Sequence, residues 1–242
     1  MTKVHGQHGH YHADMLSVED AFSRIIASFK PLEAENKQVL ETLGQVLAQD
    51  VTSPLKIPPT ANSAMDGYAL KAADTKRATN DNPVTLNVVG TIAAGDVPHQ
   101  HIRTGEAIRI MTGAPIPKGA DAVIPFEETN ETTMKDTSSS QTMVGITKDV
   151  NPGDDIRPAG QDVFKHQLVL KQGTELRPPE IGVLASLGHS HASVYRKPIV
   201  CILSTGNELM EPGKVDEPGK IFDSNGASIA AAVLKHGGIP MQ

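Results

Sequence analysis

Apolar positions recur first at helical spacing, then at strand spacing, and finally in unbroken runs as the chain is followed towards its C-terminus. Val18, Phe22, Ile25, Ile26 and Phe29 fall on one face of a 3.6-residue period and predict a helix over 17–29. Ser17 with Asp20 three residues on resembles a capping box, and Pro31 stops the helix. Leu40, Leu43, Val46 and Leu47 suggest a second helix, weakened by Gly44. From Val51 the texture changes. Val84, Leu86 and Val88 alternate, as do Ile108 and Ile110, Ala122-Val123-Ile124 is a short apolar run, and 142–147 reads as a further strand. Turn clusters between these runs predict a small β-rich domain, a barrel or a sandwich, over about 54–155. Its polar tract at 130–141 reads as an exposed hairpin or loop.

Further on, Arg177-Pro178-Pro179-Glu180 opens a helix that carries Ile181, Leu184 and Leu187 and closes at Gly188. Val194-Tyr195 suggests a short strand. The run from Ile199 to Leu203 reads as a strand buried on both faces, with Cys201 packed as a small hydrophobe. Asp223 or Ser224 is placed to cap a last helix lined by Ile229, Ala230, Val233 and Leu234. A strand, a loop, a helix and the start of a second strand open a βαβ unit without its parallel neighbours. The expectation is a fragment cut in its C-terminal domain, or a chain that borrows the rest from a partner.

Composition narrows the function classes. With 242 residues the chain is long enough for one large domain or two ordinary ones. Tryptophan is absent and aromatics are 3%, so stacking platforms for single-stranded nucleic acid are not expected. A net charge of −6 argues against a general grip on phosphate backbones. The lone Cys201 excludes an intramolecular disulfide and suits a reducing compartment. No run approaches the roughly twenty apolar residues of a membrane span, and the polar N-terminus does not read as a secretory signal. The expected location is the cytoplasm, with no membrane or nucleic-acid partner. His5, His8, His10 and His12 give residues 1–15 the composition of a disordered tail with opportunistic metal affinity.

Four stretches carry candidate chemistry. The first runs Pro58-Pro59-Thr60-Ala61-Asn62-Ser63-Ala64-Met65-Asp66-Gly67-Tyr68-Ala69-Leu70. Its prolines stiffen the approach, Asn62, Ser63 and Asp66 bond their own backbone, and Gly67 supplies a geometry other residues take at a cost. Asp66 then stands as a carboxylate on a rigid loop, either a site residue or the acid of an Asx-turn. The second, Arg109-Ile110-Met111-Thr112-Gly113-Ala114-Pro115-Ile116-Pro117, runs from a strand into a braced loop and offers the Thr112 hydroxyl with nearby amides as an anion nest, or merely ends the strand. In the third, Asp155-Ile156-Arg157-Pro158-Ala159-Gly160-Gln161-Asp162, the Arg157 guanidinium can grip phosphate or pair with Asp162. The fourth, Ser204-Thr205-Gly206-Asn207-Glu208-Leu209, follows a strand, where open α/β sheets bind ligands.

In this order, and joined by Asp223-Ser224-Asn225, the four stretches closely resemble the molybdopterin molybdenumtransferase family, which includes MoeA and the gephyrin E domain. The resemblance covers roughly residues 15–240. It implies a multidomain α+β architecture. An elongated α/β domain I (16–53 and 156–195) receives an inserted β-rich, barrel-like domain II (54–155), followed by the start of a doubly wound α/β domain III (196–242). It implies insertion of molybdate into adenylylated molybdopterin with release of AMP, aided by magnesium. It also implies a homodimer that is supplied by the molybdopterin-adenylylating protein of the same pathway. Carried over by motif position, Asp66, Thr112, Asp162 and Glu208 are the expected catalytic residues. Ser63, Arg157, Thr205, Gly206, Ser224 and Asn225 would contact substrate, and Asp66, Glu208 and Asp223 would handle the metal. Asn207 departs from the family, where an acid is common. The alternative is a non-catalytic scaffold or dimerisation module that keeps the family's front end.

Overall fold

The structure, a computed structural model, describes residues 16–133, 143–215 and 218–241. The His-rich tail and most of the 130–141 tract lie outside the described residues. The chain divides into two compact units: Asp50–Lys171, and one built from the chain on either side of it.

The alternating segments of Asp50–Lys171 form a five-stranded mixed sheet. Its spatial order is Ala122–Pro125, Gly67–Leu70, Glu106–Ile110, Val84–Ile92, Met143–Ile146. Val84–Ile92 and Glu106–Ile110 run parallel, and every other neighbour is antiparallel. The two edges approach each other where Thr129 bridges Ile146 and the Thr147 N–H donates to the Glu128 carbonyl at 3.1 Å. The sheet therefore curls as the β-rich expectation requires. Period-two side chains split between two cores. Tyr68, Leu70, Leu86, Ala122, Ile124, Val144 and Ile146 fill one. Ala69, Ile92, Ile102, Ile108, Ile110 and Val123 fill the other. Each fully buried Leu or Ile contributes about 1.5–3 kcal/mol. The segment Gly67–Leu70, buried on both faces, lies within the sheet and holds the Asp66 loop at its start.

Gly67 is required there for a reason other than backbone freedom. A Cβ on it would stand 1.9 Å from the Ile124 carbonyl oxygen and 2.9 Å from the Pro125 Cα. Two strands meet backbone to backbone at this point.

In the flanking unit, Val18–Ala27 is helical, with the Ser17 hydroxyl accepting from the Asp20 N–H at 3.0 Å. Its apolar face is not covered among the described residues: Val18, Phe22, Ile25 and Ile26 are all exposed. The second predicted helix does not form. Ala34–Gln38 is a strand paired antiparallel with His191–Tyr195, and only Val39–Thr42 turns, as a 3-10 helix. Leu43 leaves the helical region at ψ 127° and Gly44 takes φ +75°, which breaks the period before Val46 and Leu47 bridge to Glu175 and Val194. Pro178–Ser186 is helical as expected, burying Leu184.

Ile199–Cys201 pairs in parallel with Ile239–Met241 across the helix Ser224–Lys235, completing the βαβ turn of chain. The expectation of a strand buried on both faces fails, however. Ile199 and Cys201 are exposed, because this strand has one neighbour among the described residues and one covering helix. No helix among the described residues is long and apolar enough to cross a membrane.

Candidate functional site

Three of the four motifs, separated by up to a hundred residues, are drawn into one layer by backbone hydrogen bonds. Asn62–Ser63 lies between two strands' worth of chain. On one side Asn62 pairs with Arg157 and Ser63 with Ile156. On the other, the Ser63 N–H donates to the Ala114 carbonyl and the Gly113 N–H to the Ser63 carbonyl, both at 2.9 Å. The Gly160 and Asp162 N–H groups donate to the carbonyls of Pro58 and Ile57, again at 2.9 Å. The Pro58–Leu70 string is the hub of this layer.

Asp66 sits exposed at its rim. Its Oδ1 accepts from the Thr112 N–H at 2.6 Å and from the Thr112 hydroxyl at 2.8 Å. The expectation of an anion nest at 111–115 needs correction accordingly. The amides of Thr112, Gly113, Ala114 and Ile116 are all used inside the protein, and the anion the loop holds is the carboxylate of Asp66. The Thr112 amide, then its hydroxyl, and more weakly the Arg109 charge hold the Asp66 carboxyl below the usual aspartate range. Asp66 is thus ionised across the physiological range, with Oδ2 accepting no hydrogen bond among the described residues.

A depressed folded-state pKa stabilises the fold above the unfolded value, near 3.9, and that contribution is lost as pH falls through the folded value. The Thr112 amide resonance is therefore expected to titrate below about pH 4, and the Asp66→Asn protein to show no such step. A midpoint above the ordinary aspartate value would contradict the hydrogen-bond geometry.

The remaining predicted residues of this unit are placed differently. The Ser63 side chain is buried, and its hydroxyl is committed to the Met65 backbone. Arg157 Nη2 donates to Asp162 Oδ2 at 2.7 Å, a pair with about half of each side chain exposed. Such a pair is worth at most about 1 kcal/mol, and it orients the guanidinium more than it stabilises the fold.

Behind Asp66 lies a group that sequence reasoning missed. Tyr68 and Arg109 face each other across the ladder. Glu131 grips both, accepting from the Tyr68 hydroxyl at 2.7 Å and from Arg109 Nη2 at 3.0 Å. Arg109 lies 4.3 Å over the Phe126 ring, which packs edge-on to Tyr68. Burial, then the Glu131 carboxylate, push the Tyr68 phenol well above its ordinary value. Expecting 130–141 to be exposed overlooked Glu131, which is buried. The only hint was an acid early in the tract, with an unpaired Arg109 on a predicted strand.

The fourth motif belongs to the flanking unit. Ser204, Thr205, Gly206 and Glu208 follow the strand Ile199–Cys201 and are exposed. The Glu208 carboxylate folds over Gly206, where a Cβ would stand 2.5 Å from Oε1. Asp223 is the helix cap, accepting from the Gly226 N–H at 2.8 Å. The Ser204 hydroxyl first, then the Gly226 and Asn225 amides, lower its pKa. At Gly226 a Cβ would lie 2.3 Å from Asp223 Oδ2 and 2.9 Å from the Ser204 hydroxyl, so a side chain here would displace these two groups. Ser224 and Asn225 occupy the exposed first turn.

A cavity of about 690 Å³ beside them is lined by Ser204, Leu209, Lys214, Lys220 and Asp223, among others. Sequence reasoning misses both lysines, although Lys214 and Lys220 flank a Gly- and Pro-containing stretch of sequence. Replacing Asp223 with alanine is expected to speed amide exchange at Gly226 and through the first helical turn, with little change in the last turn. Uniform exchange along Ser224–Lys235 would remove its capping role.

Among the described residues, no three His, Cys, Asp or Glu side chains converge as a ready-made metal site. The free Oδ2 of Asp66 suits a hard cation that keeps most of its coordination for water and phosphate oxygens.

Residues 16–188 match the family described as "MoeA N-terminal region (domain I and II)". Curated relatives include the molybdopterin molybdenumtransferases of Staphylococcus epidermidis, 36% identical over 222 residues, and of Bacillus subtilis, 34% identical over 226. These alignments cover 92% and 93% of this chain, but 51% and 52% of the relatives. The chain thus spans about half the length of the curated relatives it matches. Among solved structures, a molybdopterin biosynthesis MoeA protein from Pyrococcus horikoshii superposes with a TM-score of 0.76 at 37% identity. That superposition covers 86% of this chain and 54% of the other.

Proposed function

This chain belongs to the family of MoeA N-terminal regions, and from that premise we propose that it works in molybdenum cofactor biosynthesis. The reaction is insertion of molybdate into adenylylated molybdopterin with release of AMP, carried out by the complete protein of which this chain supplies the front part. The observation that carries the reading is the Asp66–Thr112 pair: a carboxylate held ionised, with one oxygen fixed and the other open. Pyrophosphate ester and oxyanion both repel such a carboxylate, so a cation must stand between them. Asp66 would hold magnesium through Oδ2, and the ion supplies the charge that lets phosphate and oxyanion approach.

Thr112 keeps the Asp66 carboxylate aimed and deprotonated. Arg157, aligned by Asp162, presents a guanidinium for phosphate. In the flanking unit, Thr205 and Gly206 with Ser224 and Asn225 take the pterin or nucleotide phosphates, and Glu208 and Asp223 supply further carboxylate. The Ile199–Met241 stretch is the opening of a doubly wound α/β domain. The complete protein acts as a homodimer in the cytoplasm and receives its substrate from the adenylylating protein of the pathway. The test is molybdate-dependent AMP release from adenylylated molybdopterin. An active complete protein supports the reading, and none at any molybdate concentration removes it.

The uncovered apolar face of Val18–Ala27 favours a second reading, a scaffold or dimerisation module. Self-association without any AMP or pterin binding would put that reading first.

A further inference from the structure

Among the described residues, Glu131 is a buried carboxylate gripped by Tyr68 and Arg109, with no part in the chemistry assigned above. It stands on the short turn Asn130–Thr133, which is itself tied to the curled sheet. The Asn130 side chain accepts from the Gly145 N–H at 2.8 Å, and Thr129 bridges Ile146. From there its two oxygens reach different strands: Oε2 takes the Tyr68 hydroxyl and Oε1 takes Arg109. Tyr68 is two residues after Asp66, and Arg109 is three before Thr112, in strands paired Tyr68 to Arg109. We propose that Glu131 is a positioning residue of the Asp66 site, a clamp across the two strands that sets how Asp66 meets Thr112 and where the Arg109 charge sits. This rests on the reading of Asp66 and Thr112 as site residues.

Several observations support a clamp rather than a passive surface pair. Glu131 retains only 10% of its side-chain exposure, against 46% for Asp162 in the Arg157 pair. A buried carboxylate keeps its place only when its hydrogen bonds are made, and removing it strands Tyr68 and Arg109 as well. The Arg109 guanidinium is held from a second side by the Phe126 ring, and the Phe126 N–H donates to the Asp66 carbonyl at 3.2 Å. Arg109 also contributes to keeping Asp66 ionised.

The experiment compares amide exchange at Thr112 in the 242-residue chain with Glu131→Ala, Glu131→Gln and a core control, Val144→Ala, at matched stability. Loss of the clamp is expected to speed Thr112 exchange about tenfold in Glu131→Ala, while Glu131→Gln, which keeps the shape and an amide oxygen to accept from Arg109 and can donate its NH2 to the Tyr68 hydroxyl oxygen, stays within about threefold of the parent. Unchanged exchange in Glu131→Ala, or an equal rise in Val144→Ala, overturns the proposal. If Glu131→Ala does not fold, Tyr68→Phe removes one grip and keeps the ring. About a threefold rise at Thr112 is then expected, and none overturns the clamp. In the complete protein, Glu131→Ala should lower molybdate-dependent AMP release and Glu131→Gln should restore most of it. Full activity in Glu131→Ala overturns the link to the site. A parent without AMP release instead defeats the proposed function, while the exchange comparison still decides the clamp.

Discussion

Gly67→Ala will cost the Asp50–Lys171 unit about 3 kcal/mol or more, lowering its melting temperature by roughly 10–20 °C. The added methyl carbon would lie 1.9 Å from the Ile124 carbonyl oxygen, a contact that no rotamer change relieves because both partners are backbone. Relief requires Gly67–Leu70 and Ala122–Pro125 to separate, yet these strands carry Ile124, Tyr68 and Leu70, which fill one core. Thermal unfolding followed by circular dichroism measures the effect. Gly113→Ala makes a useful contrast: its φ of +82° carries strain, but its Cβ would meet nothing within 4 Å. If Gly67→Ala melts no lower than Gly113→Ala, the close approach of the two strands is not what Gly67 serves.

Asp66→Asn is expected to lower kcat/KM for molybdate-dependent AMP release by about 10²–10³ in the complete protein, with little effect on folding. The amide oxygen can still accept from Thr112, so the loop keeps its shape while the charge and the strong cation ligand are lost. Thr112→Ala should fall between the parent and Asp66→Asn, because the backbone N–H remains to hold the carboxylate. Thr112→Ser, which keeps the hydroxyl, should stay close to the parent. A loss of less than threefold in Asp66→Asn would remove Asp66 from the chemistry and leave it the Asx-type loop acid that its sequence also allowed.

Much of the local architecture was legible because local physics decides it. Ser17 and Asp223 cap helices with their own side chains, and Pro178 opens a helix at a position where its missing N–H costs nothing. Period-two alternation in 84–92 was enough to reveal a strand. Elsewhere tertiary pairing overrode the pattern. Leu40 to Leu47 has helical spacing, but Ala34–Gln38 and Leu47 are claimed by partners around residue 194. Gly67 was singled out correctly for the wrong reason, since the neighbour that demands a glycine is Ile124, fifty-seven residues away. At the site, sequence gave the residue types of Asp66 and Thr112 but not that the threonine serves the carboxylate. Glu131, the role of Arg109 as its partner, and the lysines beside Asp223 were hidden because their importance is created by non-local contact.

The strand Ala34–Gln38 is made early, and its partner His191–Tyr195 late. With synthesis at about 5–20 residues per second, the first strand waits roughly 8–30 s on the ribosome for its complement. The whole of Asp50–Lys171 emerges in that interval. Its flanking strands Val51–Thr52 and Leu168–Leu170 pair with each other, so it can close on itself before the outer strand finds a mate. Throughout that wait the nascent chain exposes an unpaired strand edge and the apolar face of Val18–Ala27. Molecular chaperones should therefore engage the first fifty residues during translation, and slowing the ribosome should cost yield there rather than in the β-rich unit.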